Sequence, residues 1–193
     1  VDEAAHRRGE TVEVKKPIVF YMDTLMPKAW KPYIKEGIEA WNEAFKKIGF
    51  KNVIRVMDFP KDDPDFNANN IKYSTIRYAP LWLDIQNSMH VDPRTGEILN
   101  ASLYVYDGLM SSLKANRILT TMAADPSVRT NHFSEEMMGE MIRSVIMREA
   151  GINLGLVYNV GASAVYPVDS LRSPSFTRKH GLSPSVMDYV PCN

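Results

Sequence analysis

Hydrophobic positions recur every three or four residues in one long stretch near the start of the chain. The apolar side chains of this stretch form a single helical stripe: Tyr33, Ile34, Ile38, Trp41, Phe45 and Ile48. Gly49 follows the stripe at a position where helices commonly end. The pattern therefore predicts one long amphipathic helix over residues 28–49.

Short apolar runs on both sides of this helix predict strands. They cover residues 17–22, 52–59 and 71–79. Because a helix joins the first two, we expect a right-handed crossover with those strands parallel. A turn sequence containing proline and glycine, residues 92–96, separates two further runs and predicts a bend that leads into a strand at 98–106.

The second half of the chain predicts two more helices. Helical spacing of leucine and isoleucine covers 108–129. Ser134 is a favourable N-cap with two glutamates in the first turn, which predicts a helix over 134–154. Residues 161–184 contain several small residues and three prolines and are too irregular for one element. The whole chain, 1–193, is predicted to be one α/β domain with a mixed sheet.

Composition changes this picture little. The 23 basic and 23 acidic residues cancel, and 45% of the chain is hydrophobic, as in ordinary globular domains. Without a block of like charge, we do not expect nucleic acid or an anionic membrane surface as a partner. No apolar run approaches the roughly 20 residues of a membrane span. The N-terminal residues do not have the pattern of a signal peptide.

The candidate chemistry lies at the end of the helix predicted over 134–154. There the chain has the frame of a long zinc-binding motif, H-E-x-x-H-x-x-G-x-x-H. Glu149 occupies the glutamate position and Gly155 the glycine position, whereas Arg148, Ile152 and Tyr158 replace the three histidines. Ligands at i and i+4 share one helix face, and the glycine turns the chain so that a third can approach. The frame is that of a zinc site, and its metal ligands are missing.

The three replacing residues are poor zinc ligands. Arg148 is a permanent cation without a lone pair, and Ile152 has no donor atom. Tyr158 could bind a metal only as a phenolate, which is costly to form near neutral pH. Without a metal-bound water, the general-base position Glu149 has no water to activate. We therefore expect no metal and no cofactor at this motif.

Further stretches resemble known proteases. Residues 185–189, S-V-M-D-Y, resemble the Met-turn of metzincins, with Met187 and Tyr189 at its methionine and tyrosine. Longer segments resemble a family of large bacterial zinc-dependent metalloproteases, found notably in Bacteroides-like organisms. These segments are 16–21, 32–45, 91–101 and 164–176. The resemblance covers about residues 16–189.

The resemblance implies several properties of the chain. They are a zincin-like fold of the α+β type, zinc in active relatives, and a periplasmic, cell-surface or secreted location. It also implies that Met187 forms the floor of the zinc site. In some relatives the tyrosine at the position of Tyr189 reaches the metal or the transition state.

Two functions follow as alternatives. The favoured one is a degenerate metalloprotease-like domain that has lost zinc and catalysis and holds an extended peptide along an edge strand, expected at 98–106. The other is an active metallopeptidase with unusual ligands. Its candidate ligands are His90, His132, His180, Asp188 and Cys192. Measurement of bound metal separates the two.

Overall fold

The computed structural model describes residues 1–123, 125–130 and 132–188. The strands are β1 (Val12–Glu13), β2 (Ile18–Met22), β3 (Phe50–Lys51), β4 (Ile54–Asp58), β5 (Ser74–Ala79), β6 (Ile85–Val91) and β7 (Ile98–Tyr106). Five of them form a twisted sheet in the order β4-β2-β5-β7-β6, in which β6 is antiparallel and the other neighbours are parallel. The short strands β1 and β3 pair separately. The predicted mixed α/β class is confirmed.

The helices are α1 (Glu3–Arg7), α2 (Lys31–Glu39), α3 (Trp41–Lys47), α4 (Leu109–Thr121), α5 (Glu135–Asn153), α6 (Val168–Leu171) and α7 (Pro174–His180). Two 3-10 turns cover Pro126–Val128 and Ala162–Val165. The parallel pairing of β2 with β4, which α2 and α3 connect, confirms that these two strands are parallel. None of the helices within the described ranges has the length and apolar character needed to span a bilayer.

The core lies between one face of the sheet and the helices α2 and α5. Alternate residues of the strands point into it, as the two-residue period of a strand requires. The main buried members are Phe20, Met22, Ile34, Ile38, Ile54, Val56, Ile76, Ala101, Leu103, Val105, Ile142, Ile146 and Ala150. The motif helix α5 is therefore held against the sheet by its own apolar face.

The prediction that residues 98–106 form the edge strand is wrong. β7 pairs with β5 on one side and with β6 on the other, so that β6 is the edge on this side of the sheet. β7 is buried on both faces for most of its length, which suits an interior strand, whereas β6 is largely exposed near its end. The hairpin turn at 92–96 places β6 outside β7. Within this turn, the side-chain hydrogen bond from Arg94 lowers the pKa of Asp92.

The long helix predicted over 28–49 is interrupted. α2 ends at Glu39 and α3 begins at Trp41, and at the junction the amide of Glu43 donates to the carbonyl of Ala40 at 3.1 Å. This i to i−3 bond is the tighter 3-10 pattern. The Asn42 side chain bonds the backbone of Val53 and Ile54 and so ties α3 to the start of β4.

One other predicted boundary also changes. The helix predicted over 108–129 ends at Thr121, because Asp125 caps a separate 3-10 turn that begins with Pro126. The prediction that 161–184 is too irregular for one element is confirmed, because this stretch contains a 3-10 turn and the short helices α6 and α7. Ser173 caps α7 by accepting from the amide of Phe176, a local signal that the proline content obscures.

Candidate functional site

Helix α5 is the platform of the site. The Ser134 side chain accepts from the amide of Met137 at 3.1 Å and starts the helix, as predicted from its sequence. At the other end Gly155 has a φ of +87°, the left-handed conformation that glycine adopts at low cost. The amides of Gly155 and Leu156 donate to the carbonyls of Ile152 and Gly151, which is a Schellman ending.

Glu149 lies on the face of α5 that points to the sheet, and it is 7% exposed. Its Oε2 accepts a hydrogen bond of 2.6 Å from Nδ2 of Asn87 on the edge strand β6. Its Oε1 accepts from Nε of the neighbouring Arg148 at 3.4 Å. Both carboxylate oxygens are therefore engaged, and the two partners compensate for the burial of the charge.

The three positions that replace zinc ligands have different surroundings. Arg148 pairs with Glu149 and also lines a groove of about 380 Å³ between α4 and α5, together with Arg117, Val145 and Leu182 among others. Ile152 contributes an aliphatic side chain. Tyr158 lies beyond the glycine turn and is 51% exposed.

The residues at this site do not fit a zinc ion. Three nitrogen, oxygen or sulfur donors have to converge on a catalytic zinc. Within the described ranges no three histidine, cysteine, aspartate or glutamate side chains are grouped so that they could hold a metal. At the motif itself the positions offer a cation, an alkyl group and an exposed phenol.

Met187 lies against the motif helix, next to the backbone of Gly151. A Cβ at position 151 would collide with Sδ of Met187 and would lie 2.6 Å from Cζ2 of Trp41. Trp41 also donates from Nε1 to the carbonyl of Met147 at 2.8 Å. The methionine turn, the indole and the helix backbone therefore meet at a position that only glycine fills without displacement.

The methionine turn is fixed by hydrogen bonds to the segment after the glycine turn. The amide of Asn159 donates to the carbonyl of Met187 at 2.8 Å. Asp188, which is buried, accepts from the amide of Ser163 at 2.8 Å and from Oγ of Ser183 at 2.7 Å. The tyrosine expected at the end of this turn, Tyr189, lies outside the described residues.

Among the described residues, the alternative metal ligands do not form a group that could hold a metal. His90 is on β6, His132 precedes α5, and His180 ends α7, where its ring centroid is 4.6 Å from that of Phe176. Asp188 belongs to the methionine turn, and Cys192 lies outside the described residues. Sequence reasoning missed Asn87 and Trp41, which contact the motif helix from distant parts of the chain.

The mixed sheet, the left-handed glycine turn after α5 and the packing of Met187 against α5 agree with the zincin-like fold that the sequence resemblance implies. Residues 130–193, the C-terminal third of the chain, match a family model described as Met-zincin. This match supports a metzincin-like, metalloprotease-like domain. Comparison with curated proteins found no match, and comparison with solved structures found none either.

Proposed function

We propose that this domain is a metalloprotease-like module that binds extended peptides without zinc and without cleaving them. The observation that supports this most strongly is the engagement of Glu149 by Asn87 and Arg148. In a metalloprotease this carboxylate has to polarise a metal-bound water and shuttle its proton. Here its oxygens hold a neighbouring amide and a guanidinium.

The charge at the first ligand position also opposes a metal. Arg148 carries a guanidinium, a cation that has no lone pair to offer a metal. A divalent cation a few ångströms away would be repelled, and the repulsion is stronger where water is partly excluded. Ile152 adds apolar volume at the second position, so two of three ligand positions disfavour zinc.

Peptide binding is supported by the strand order. Within the described part of the chain β6 pairs with β7 alone, and its other edge carries no strand. Unpaired edges normally have to be blocked, because they can pair with another chain. A peptide added to this edge would gain main-chain hydrogen bonds without any metal. Asn87 places β6 directly beside Glu149, so such a peptide would run past the motif.

The loss of zinc binding is tested by restoring the ligands. Calorimetry with zinc would compare the wild type with the triple variant Arg148→His, Ile152→His, Tyr158→His. We expect no binding at the motif in the wild type and one-to-one binding in the triple variant, because Gly155 and Met187 keep the frame. A control with Val157→His in place of Tyr158→His carries the same number of imidazoles and should bind more weakly.

Two results would contradict the proposal. Tight one-to-one zinc binding by the wild type that is lost in Tyr158→Phe, the one ligand position with a donor atom, would place a working metal site at the motif. Zinc-dependent cleavage of a peptide library by the wild type would show catalysis. Failure of the triple variant would mean that the frame no longer holds three converging ligands.

Peptide binding is tested by amide hydrogen exchange in the presence of a mixed pool of unstructured peptides. We expect exchange to slow at residues 85–91 and to stay unchanged at β4, the opposite edge of the sheet. Equal slowing at both edges would indicate non-specific association. No slowing at 85–91 with any peptide would remove the support for an edge-strand partner.

A further inference from the structure

A small polar pocket lies on the face of the sheet opposite to the one that packs against α2 and α5. Strand alternation establishes the face: Ile76, Ala101 and Leu103 point into the helical core, so their neighbours point the other way. Asn87 of β6 reaches α5, so the residue after it, Ser88, also points away from α5. This pocket is therefore separate from the motif site and does not depend on the proposed function.

Strand register brings the side chains of the pocket together. Across the sheet Arg77 is opposite Tyr104, Ser88 is opposite Ser102, and His90 is opposite Asn100. Directly opposed residues on one face lie within side-chain reach. With Asn69, Asn70 and Ile71 from the preceding loop they line a space of about 170 Å³.

The floor of the pocket is a saturated network. Asn100 and Ser102 are each 6% exposed. Nδ2 of Asn100 donates to the carbonyls of Ile71 and Tyr73, and its Oδ1 accepts from Oγ of Ser102. Oγ of Ser102 in turn accepts from the amide of Thr75. Because these hydrogen bonds are already made, Asn100 and Ser102 hold the shape of the pocket. A ligand would therefore be bound by the side chains of the pocket walls.

The walls are rich in donors. Oδ1 of Asn69 accepts from Arg77 at 2.6 Å, and Oδ1 of Asn70 accepts from the amide of Lys72 at 3.0 Å. Each of these amide oxygens has already accepted one bond and keeps one lone pair, and the two NH₂ groups add four N–H donors. Arg77 has further N–H groups beyond the one that bonds Asn69, and the Ser88 hydroxyl can also donate.

The charge of the pocket is positive. Of the described residues that line it, none is aspartate or glutamate. Arg77 takes part in none of the ion pairs among the described residues. Its guanidinium bonds a neutral amide and lies over the ring of Tyr104, with Cζ 6.0 Å from the centroid. A fork of N–H donors without a carboxylate partner matches the geometry of an oxyanion.

We propose that this pocket binds a small oxyanion group, with Arg77 as its charged ligand and Asn69, Asn70 and Ser88 as neutral donors. Carboxylates, sulfate esters and phosphate esters share this chemistry. Sodium acetate, sulfate and phosphate serve as separate probes, and their relative affinities distinguish the three sources. Sodium chloride at matched ionic strength corrects for general screening.

The test is a titration of each probe followed by backbone amide NMR. We expect saturable shifts at residues 69, 70, 77, 88 and 90 for at least one probe. Arg77→Gln should weaken that binding about tenfold or more, as loss of a charged hydrogen-bond partner implies. The control Arg55→Gln removes the same charge from the same sheet face at β4, outside the pocket, and should bind as the wild type does.

Since Arg77 also holds Asn69, its variant could loosen the loop. Asn70→Asp avoids this, because it keeps the size of the side chain and the acceptor for Lys72 and puts a negative charge in the pocket. We expect Asn70→Asp to abolish binding of all three probes while the hydrogen bond from Arg77 to Asn69 stays intact. Unchanged affinity in Asn70→Asp, or shifts in the wild type that follow ionic strength alone, would overturn the proposal.

Discussion

The carboxylate of Glu149 is almost fully buried, and Asn87 and Arg148 are the residues that compensate for its burial. The bond to Asn87, at 2.6 Å, is the shorter of the two, and it joins the motif helix to the edge strand. A buried carboxylate that loses such a partner keeps its desolvation cost. The side chain of Asn87 is therefore important for stability at the motif.

We expect Asn87→Ala to lower the free energy of unfolding by about 1–3 kcal/mol, the usual cost of removing a hydrogen bond to a charged group. Urea denaturation measures the loss. The double variant Asn87→Ala, Glu149→Ala should cost less than the sum of the single changes, because the charge that needs the amide is then absent. Strict additivity would contradict the coupling between the two residues.

Gly151 has a packing role, since its missing side chain leaves space for Trp41 and Met187. We expect Gly151→Ala to destabilise the protein by about 1–2 kcal/mol, because overpacking outweighs the gain of about 1 kcal/mol in helix propensity. Thermal and urea unfolding measure the effect. Gly161→Ala is the control, because nothing lies within 4 Å of a Cβ at that position, and it should change stability by less than about 0.5 kcal/mol. A stabilising Gly151→Ala would contradict this packing.

At the residue scale the sequence predicted the motif positions but not their neighbours. The positions of Glu149 and Gly155 follow from spacing along one helix. Asn87 precedes Glu149 by 62 residues and Trp41 precedes Met147 by 106, and no local pattern relates such residues. Only the folded strand order brings them into contact.

At the scale of elements, the N-terminus of α5 is stabilised by the side chain of Ser134, the N-cap. We expect Ser134→Ala to lower the free energy of unfolding by about 1 kcal/mol, because the amide of Met137 loses its acceptor. Ser144→Ala makes the same change at an exposed position inside α5 and should be neutral or slightly stabilising. Equal losses in the two variants, measured by urea denaturation, would show that Ser134 does not act as a cap.

Elements with local determinants were predicted well, and elements defined by distant contacts were not. The motif helix, the crossover and the hairpin follow from caps, apolar stripes and turn residues. The edge strand was misassigned, because the position of a strand in a sheet depends on which strand it pairs with. The break at Ala40 has the same origin, since Asn42 is held by β4 across the crossover.

For the whole molecule, the core extends over most of the chain. The buried cluster includes Phe20 from β2, Ile38 from α2, Leu103 from β7 and Ile146 from α5. In the matched stretch 130–193, the residues that the structure describes form the motif helix and the methionine turn and contain no strand. We therefore propose that the motif region and the sheet form one cooperative unit, as the prediction of a single domain implies.

This cooperativity leads to a prediction for the isolated fragment 130–193. We expect it to be largely unfolded in water, because the apolar face of α5 loses its partners and most helical stability in proteins comes from such packing. Circular dichroism of the fragment should show low helix content and no cooperative thermal transition.

A second experiment uses the full chain. In a variant with Trp30→Phe and Trp82→Phe, Trp41 is the remaining tryptophan, and its fluorescence should change at the same urea concentration as the far-ultraviolet signal. Because the Trp41 indole bonds the carbonyl of Met147, it reports on the contact between α3 and the motif helix. A cooperative transition in the fragment, or a fluorescence change that precedes the loss of secondary structure, would mean that the motif region folds independently of the sheet.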